Sequence, residues 1–346
     1  LIINKRKINE QNKPYIIAEL SANHGGNLNR AKKSIEMAAK AGVSAVKLQT
    51  YTPDTMTINS SLPDFKINDG LWADRTLYDL YSEAYTPFEW HEELFKHAYE
   101  NNITIFSTPF DESAVDLLES LNTPAYKIAS FEIVDIPLIK YIAKKNKPIF
   151  MSTGMASEDE IKNAVQTIRE TSKAELLLFH CISSYPTTTE DSNLNNLNWL
   201  KNKFDVLVGL SDHTTNNIAA LTAIGMGAVA IEKHFKLDDY DCGPDTSFSL
   251  NIHQLRQLVI ECEQAWVAKG KIGLNRANSE QENLIFRRSL YFINNLKQGH
   301  EITEKDIKRI RPGYGLLPKF FDEVVGKVLK VNVQRGERVT FDKLCD

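Results

Sequence analysis

Cysteine is scarce: four occur among 346 residues. Cys181, Cys242, Cys262 and Cys345 match no metal-ligand spacing and are expected to be reduced thiols of a cytosolic protein. Long apolar runs are absent, and none approaches the ~18 residues that a membrane helix needs, so no membrane association is expected. Positive charge is not in excess. The chain carries 41 Lys and Arg against 45 Asp and Glu, net −4, which leaves no basic field to recruit nucleic acid. No Gly-x-Gly-x-x-Gly follows the first β-like run, which argues against a doubly wound dinucleotide fold. Residues 1–14 are polar and do not read as a signal peptide. They lack an initiator Met, so a few further residues are expected ahead of them.

What the sequence does contain is a repeated alternation. Eight β-rich runs fall at 16–19, 45–49, 103–107, 125–130, 148–152, 176–181, 206–211 and 228–233. They are nearly continuous in apolar residues, as strands buried on both faces are. Helical patterns lie between them. Ala31, Ile35, Ala38 and Ala39 share a face, and Gly42 stops that helix. Ser157 and Glu160 form a capping box before Ile161, Ala164, Val165 and Ile168. Asp111 is placed to cap a helix burying Ala114, Leu117, Leu118 and Leu121. Asp135 with Pro137 opens another, and Thr214 or Thr215 is placed to cap one through Ile218. Eight such units within about 260 residues predict an α/β fold, a closed (β/α)8 TIM barrel over 1–270.

Two segments depart from the alternation. Residues 51–86, after the second strand, form a long loop carrying Leu71, Trp72 and Tyr78, and loops of that length in compact domains are usually functional. From 271 the pattern turns polar, predicting a linker over 271–286 and a small β-rich domain over 287–346. Within that tail, Lys297-Gln298-Gly299-His300-Glu301-Ile302-Thr303 echoes Gln334-Arg335-Gly336-Glu337-Arg338-Val339-Thr340. The echo suggests two similar hairpins, in a domain small enough to lean on a neighbour.

Active sites of such barrels lie at the C-terminal strand ends, and every strand here ends in polar residues. Lys47 and Lys127 bring positive charge. Thr108, Ser130, Ser152, Ser183 and Ser211 bring hydroxyls, and together they suit a phosphate or carboxylate. His213 and His234 close the last two strands, where two imidazoles can share a divalent metal. Oxygen ligands and water would complete the shell, so Mn²⁺ or Mg²⁺ fits better than a closed zinc site. Glu19, Glu132 and Glu232 offer carboxylates for proton transfer or for orienting neighbours. His91, His97, His253 and His300 lie in helical or turn segments and are expected to be solvated.

These residues sit in motifs that resemble the sialic acid synthase family along almost the whole chain. The motifs are Ile17-Ala18-Glu19-Leu20-Ser21-Ala22-Asn23-His24, Lys47-Leu48-Gln49-Thr50, Ser107-Thr108-Pro109-Phe110, Tyr126-Lys127-Ile128-Ala129-Ser130 and Ser152-Thr153-Gly154-Met155. They continue with Ser184-Tyr185-Pro186-Thr187, Gly209-Leu210-Ser211-Asp212-His213-Thr214 and Ile231-Glu232-Lys233-His234-Phe235. Arg311-Pro312-Gly313 is similar to part of that family's antifreeze-like (SAF) tail domain. Gly70-Leu71-Trp72 with Arg75-Thr76-Leu77-Tyr78 is most similar to the branch that makes pseudaminic acid.

The resemblance implies a metal-dependent condensation of phosphoenolpyruvate with a ring-opened deoxy-diacetamido hexose, releasing phosphate by C–O cleavage. It implies phosphoenolpyruvate against Lys47, Thr108, Lys127, Ser130, Ser152, Ser183 and Ser211, and metal on His213 and His234. Glu132 is the first choice for handling water or a proton, with Glu19 and Glu232 placing sugar and metal ligands. Asn23, Tyr185 and Asp245 are implied on the sugar side, with Arg311 reaching over from the tail of a second subunit in a swapped homodimer. Ser183 stands where sialic acid-making relatives often carry Asn, and a serine is shorter. The Leu71–Tyr78 loop, with an apolar Trp or Leu, suits a 6-deoxy sugar.

Three rivals stand beside this reading. One is the same chemistry on a legionaminic or N-acetylneuraminic acid precursor. Another is a metal-dependent aldolase or hydrolase, which would not need the anion cradle. The third, suggested only by the tail, is a carbohydrate-binding or ice-binding protein without catalysis.

Overall fold

The computed structural model describes residues 1–238, 243–274 and 277–345. The chain divides into two compact units, Leu1–Gly270 and Lys271–Asp346. In the first, eight parallel strands close a barrel in chain order. They are β1 (Tyr15–Glu19), β2 (Ala45–Thr50), β3 (Thr104–Pro109), β4 (Tyr126–Ile128), β5 (Ile149–Ser152), β6 (Leu176–Cys181), β7 (Leu207–Asp212) and β8 (Ala230–His234). β8 pairs with β1 in register from Ala230 opposite Tyr15 to His234 opposite Glu19.

Side chains of a strand alternate between faces, and this builds two cores. Tyr15, Ile17, Ala45, Phe106, Phe150, Phe179 and Ala230 fill the barrel interior, with Ile3 and Ile8 of the N-terminal segment packed among them. Ile16, Ala18, Val46, Leu48, Met151, Leu210 and Ile231 face outward onto the helices. Continuing the inward set along the strands gives Glu19, Lys47, Thr108, Lys127, Ser152, Ser211 and Glu232. One alternation therefore sets an apolar floor beneath a polar layer.

The helix Leu28–Ala41 ends at Gly42, whose φ of 88° is left-handed, where a Cβ is disfavoured. The Ser157–Glu160 capping box forms, and Asp111 and Asp135 cap as expected. In the Asp111-capped helix the buried set is Ala114, Val115 and Leu118. Val115 thus replaces Leu117 and Leu121, because the burying face is turned by one position. Neither Thr214 nor Thr215 caps the helix Ile218–Gly225, where Asn217 holds the cap position without a capping side-chain bond. Thr214 is instead folded around Lys233, to which it offers both its carbonyl and its hydroxyl oxygen.

Residues 51–86 are not a bare loop. They hold the short helix Pro53–Met56, a helical turn Pro63–Phe65 and the helix Leu77–Ala84. His91 is fully buried, not solvated, and bonds to the Thr50 hydroxyl (2.8 Å) and the Pro87 carbonyl (3.0 Å). His300 is tied to Asp306 at 3.0 Å. Cys181, Cys262 and Cys345 are free thiols, while Cys242 lies outside the described residues.

The second unit has its own core of Leu290, Phe292, Ile302, Ile307, Val324, Leu329, Val333, Val339 and Leu344. The stretch expected as linker carries a helical turn, Asn278–Phe286. The echoed segments do not make two separate hairpins. Ser289–Phe292 pairs with Ile307–Ile310, and the second copy interlocks with the first. Leu296 and Val333 exchange backbone hydrogen bonds. The Asn332 side chain accepts from Gln298 N–H, and Asn295 accepts from Arg335 N–H, both at 2.8 Å. Gly299 and Gly336 occupy matching left-handed positions, φ 84° and 91°. Each half alone is too short to bury Ile302 or Val339, so the two close on each other.

Candidate active site

The polar layer holds a buried row of four alternating charges. Lys47 Nζ lies 2.9 Å from Glu19 Oε2 and 3.3 Å from Glu232 Oε1, and Lys127 Nζ is 3.3 Å from that same oxygen. Ser211 Oγ donates to Glu232 Oε1 (3.3 Å), and Lys47 donates to Thr108 Oγ1 (3.2 Å). All four charged groups are at most 4% exposed. Burying ions this deeply is costly unless they are paired. Burial alone would raise Glu232, but Lys127 and Lys47 outweigh it and hold its carboxyl well below the usual range. Glu19, burdened mainly by its own burial, is pushed up.

Around this row stand hydroxyls with bonding capacity to spare. Ser152 Oγ and Glu232 Oε2 are buried with no hydrogen-bond partner among the described residues. Ser130 Oγ accepts from the Gly154 N–H at 3.2 Å. A Cβ on Gly154 would overlap Ser183 Oγ and come within 2.7 Å of Ser130 Oγ. Glycine is what lets those two hydroxyls converge, which brings Ser183 into the set with Thr108, Ser130, Ser152 and Ser211.

His213 and His234 meet with ring centroids 5.4 Å apart. His213 Nδ1 donates to the Ile182 carbonyl (2.9 Å), which leaves Nε2 as the ring nitrogen open to a ligand. His234 Nδ1 is buried with no hydrogen-bond partner among the described residues, and the Asp245 carboxylate stands off at 3.7 Å. Burial, then the charge of His213 and of the lysines around it, push His234 well down and disfavour its charged ring. Tyr185 and Phe248 box the pair in, with centroids 4.3 Å from His213 and 4.9 Å from His234 respectively. No group of three His, Cys, Asp or Glu in metal geometry occurs among the described residues. The two imidazoles are the residues that could hold a divalent cation, with substrate and water completing its shell.

Beside this lies a cavity of about 420 Å³. Its lining includes Ser21, Gln49, Tyr51, Trp72, Leu77, Leu80, Phe110, Phe131, Glu132, Tyr185, His234 and Asp245. Lys47 and Lys127 are absent from the lining and lie deeper. The wall is largely apolar and the polar groups are few. Burial raises Glu132 to about 7, and its Oε2 has no hydrogen-bond partner among the described residues. Gln49 Nε2 donates to Glu19 Oε1 (3.1 Å) and Ser21 Oγ (2.9 Å), and Ser21 in turn donates to Asp245.

The 51–86 segment supplies one side through Trp72. A local turn pairs Ile67 N–H with the Arg75 carbonyl and Asp74 N–H with the Ile67 carbonyl, projecting the tip that Trp72 occupies. Trp72 Nε1 donates to the Pro244 carbonyl (3.0 Å), and its ring lies 5.6 Å from Tyr185. Leu71 is 48% exposed and stays off the wall, and Tyr78 is likewise absent from the lining. The leucines facing the cavity are Leu77 and Leu80, which the helix turns inward. Asn23 sits behind the wall. Its amide donates to the Phe235 carbonyl and to Ser249 Oγ, both 2.9 Å, and so braces the β8 exit. Arg311 lies in the second unit, its guanidinium 5.9 Å from the Phe286 ring.

Sequence reasoning passed over Ser21, Tyr51, Phe248 and Cys181. Cys181 was findable, since alternation from Phe179 points it inward, where its sulfur lies 4.0 Å from His213 Nδ1. Ser21 and Phe248 carried no signal, because loop paths alone bring them in.

A closed parallel barrel with a buried cationic cradle, a histidine pair and an apolar cavity at its C-terminal mouth has the arrangement of a barrel enzyme. Residues 34–273 match the NeuB family model and 287–344 match the SAF domain. The chain belongs to the NeuB family and is an enzyme. It is 43% identical to the pseudaminic acid synthase of Campylobacter jejuni subsp. jejuni serotype O:23/36, across 95% of this chain and 96% of that one. The N,N'-diacetyllegionaminic acid synthase of serotype O:2 is 36% identical, across 94% and 99%. Among solved structures, the N-acetylneuraminic acid synthetase of Leptospira borgpetersenii, in complex with citrate, superposes with a TM-score of 0.74. It is 32% identical and covers 82% of this chain and 94% of its own.

Proposed function

We propose that this enzyme is a pseudaminic acid synthase. It condenses phosphoenolpyruvate with 2,4-diacetamido-2,4,6-trideoxy-L-altrose and water to give pseudaminic acid and phosphate. The observation that carries the sugar assignment is the cavity wall. Trp72, Leu77, Leu80, Phe110 and Phe131 offer a 6-deoxy sugar apolar surface and few partners for an extra hydroxyl.

In this reading Lys47, Lys127 and the hydroxyls of Thr108, Ser130, Ser152, Ser183 and Ser211 hold phosphoenolpyruvate. Tyr185 and Asp245 hold the open-chain sugar so that its aldehyde carbon faces the enol carbon. Fixing both partners removes much of the entropy cost of a bimolecular step. His213 and His234 would hold the divalent cation, which when bound supplies Lewis-acid polarisation of the aldehyde oxygen. The new C–C bond leaves C2 cationic. Glu132, its pKa raised to about 7 by burial, takes the proton of the water that adds there. The tetrahedral carbon then releases phosphate by C–O cleavage. Glu19 and Glu232 keep the lysines in place.

The proposal includes a homodimer in which Arg311 of a second copy reaches the sugar's acyl group. Charge supports it: residues 271–346 carry 15 Lys and Arg against 10 Asp and Glu, in a chain totalling 41 against 45. A basic tail therefore accompanies a strongly acidic barrel domain. Mixing Arg311→Ala with Lys127→Ala chains should restore activity in heterodimers, and no restoration would remove the shared site. The reading also puts the enzyme in the cytoplasm with phosphoenolpyruvate. No helix among the described residues is long and apolar enough to cross a membrane.

The test is a Mn²⁺ assay pairing phosphoenolpyruvate with the altrose sugar, its D-manno counterpart and N-acetylmannosamine, scored by phosphate release and product mass. Turnover confined to the altrose sugar is expected. Preference for another keeps the condensation and overturns the sugar assignment. Inactivity with all three would sink the condensation.

A further inference from the structure

Lys233 lies on β8 between Glu232 and His234, yet alternation turns it the other way, outward with Ile231 beneath the helices. It is 1% exposed. Its ammonium gathers four oxygens: Asp212 Oδ2 and the Thr214 carbonyl at 2.6 Å, the Asn216 carbonyl at 2.9 Å and Thr214 Oγ1 at 3.2 Å. Asp212 Oδ1 also accepts from Thr214 N–H at 2.8 Å. Every one of these acceptors belongs to residues 212–216, the end of β7 and its exit, and His213 lies inside that stretch.

We propose that Lys233 is a positioning residue. From the strand that carries His234, its ammonium fixes the exit path that carries His213, and so sets the spacing of the two imidazoles for a shared cation. Without the ammonium, the buried Thr214 carbonyl and Asp212 Oδ2 and the part-buried Asn216 carbonyl lose this donor, and the 212–216 turn must reopen. Asp212 supplies the counter-charge, so a cation between the histidines meets a neutral ion pair and not a lone ammonium. The carbonyls leave no role for Lys233 in the substrate cavity, whose lining excludes it. The proposal rests on the metal reading of the histidine pair.

The test uses the full chain stripped with a chelator and titrated with Mn²⁺ by calorimetry and by the spin resonance of free Mn²⁺. The wild type is measured first, and a wild type that binds no Mn²⁺ overturns the metal reading itself. With that reading standing, Lys233→Met should weaken Mn²⁺ at least tenfold. Cooperative thermal unfolding and metal-free phosphoenolpyruvate affinity should persist, since the latter depends on Lys47 and Lys127. A folded Lys233→Met chain with wild-type Mn²⁺ affinity overturns the proposal. If that variant does not fold, Asp212→Asn decides, because asparagine keeps the volume and one acceptor while removing the counter-charge. A several-fold loss of Mn²⁺ affinity supports the proposal, and unchanged affinity overturns it.

Discussion

Lys127 and Glu232 face each other across the barrel interior from β4 and β8, with Nζ 3.3 Å from Oε1. Lys47 and Ser211 converge on the same carboxylate oxygen. An internal carboxylate thus already holds donors that an anionic substrate would use, and keeps the two lysines from repelling one another apart. Removing one partner leaves a buried, uncompensated charge. Lys127→Met should therefore lower stability by about 3 kcal/mol and abolish turnover. Lys127→Met with Glu232→Gln should recover most of the stability but none of the activity. A double-mutant cycle by denaturant unfolding reads the coupling, and additive effects would contradict it.

The histidine pair separates fold from chemistry. His213→Ala and His234→Ala should each keep the circular dichroism spectrum and cooperative unfolding while abolishing Mn²⁺-dependent turnover. Full activity in either variant would remove the metal role.

Gly154 is a steric test of the hydroxyl cradle. Gly154→Ala should push Ser183 and Ser130 apart, because a Cβ has no room beside them. The expected result is a rise of at least tenfold in the KM for phosphoenolpyruvate with a smaller change in the KM for sugar. An unaltered phosphoenolpyruvate KM would place the anion elsewhere.

Glu132 makes a pH-dependent prediction. Burial lifts it from its ordinary 4.5 to about 7, so the folded protein disfavours its ionised form. That cost is absent below 4.5, grows through the interval and is complete above 7. Glu132→Gln should therefore stabilise the fold by about 1–3 kcal/mol at pH 8 and leave it unchanged at pH 4. If the ionised group takes the water proton, wild-type turnover rises with pH to a plateau above about 7. Glu132→Gln should then be slow at every pH. Wild-type rates from the variant would exclude Glu132 from the reaction.

Trp72 tests the sugar side. Trp72→Ala loses the bond to the Pro244 carbonyl and the contact with Tyr185, opening one wall of the cavity. The KM for sugar should rise at least tenfold while that for phosphoenolpyruvate stays within about twofold. Equal increases in both would make Trp72 a general structural support.

Much of this architecture is local and therefore legible in the sequence. Strand runs, helix periodicity, the Ser157–Glu160 box and the Gly42 stop each need only neighbours within a few residues. Once the strands are placed, their alternation puts Glu19, Lys47, Lys127, Ser211 and Glu232 inside one barrel mouth, since a closed parallel barrel gathers all its strand ends. The residues misread from sequence depend on loop paths or on a helix's exact turn. His91 reads as a solvated helical residue, yet Thr50 gives it a buried partner. Leu71 reads as cavity wall, yet Leu77 and Leu80 take that place.

The sequence by itself determined the barrel, the inward chemistry of its strand ends and the presence of a separate β-rich tail, because strand pleat and helix period are properties of consecutive residues. Only the tertiary structure decided which charges pair. Glu232 serves both lysines, and Lys233, one position on, serves the β7 exit. It alone brought Trp72 to Pro244 and Phe248 to the histidines, and it alone interlocked the two tail repeats. Those contacts join segments far apart in the chain, and their partners are chosen by packing and by the need to satisfy every buried polar group.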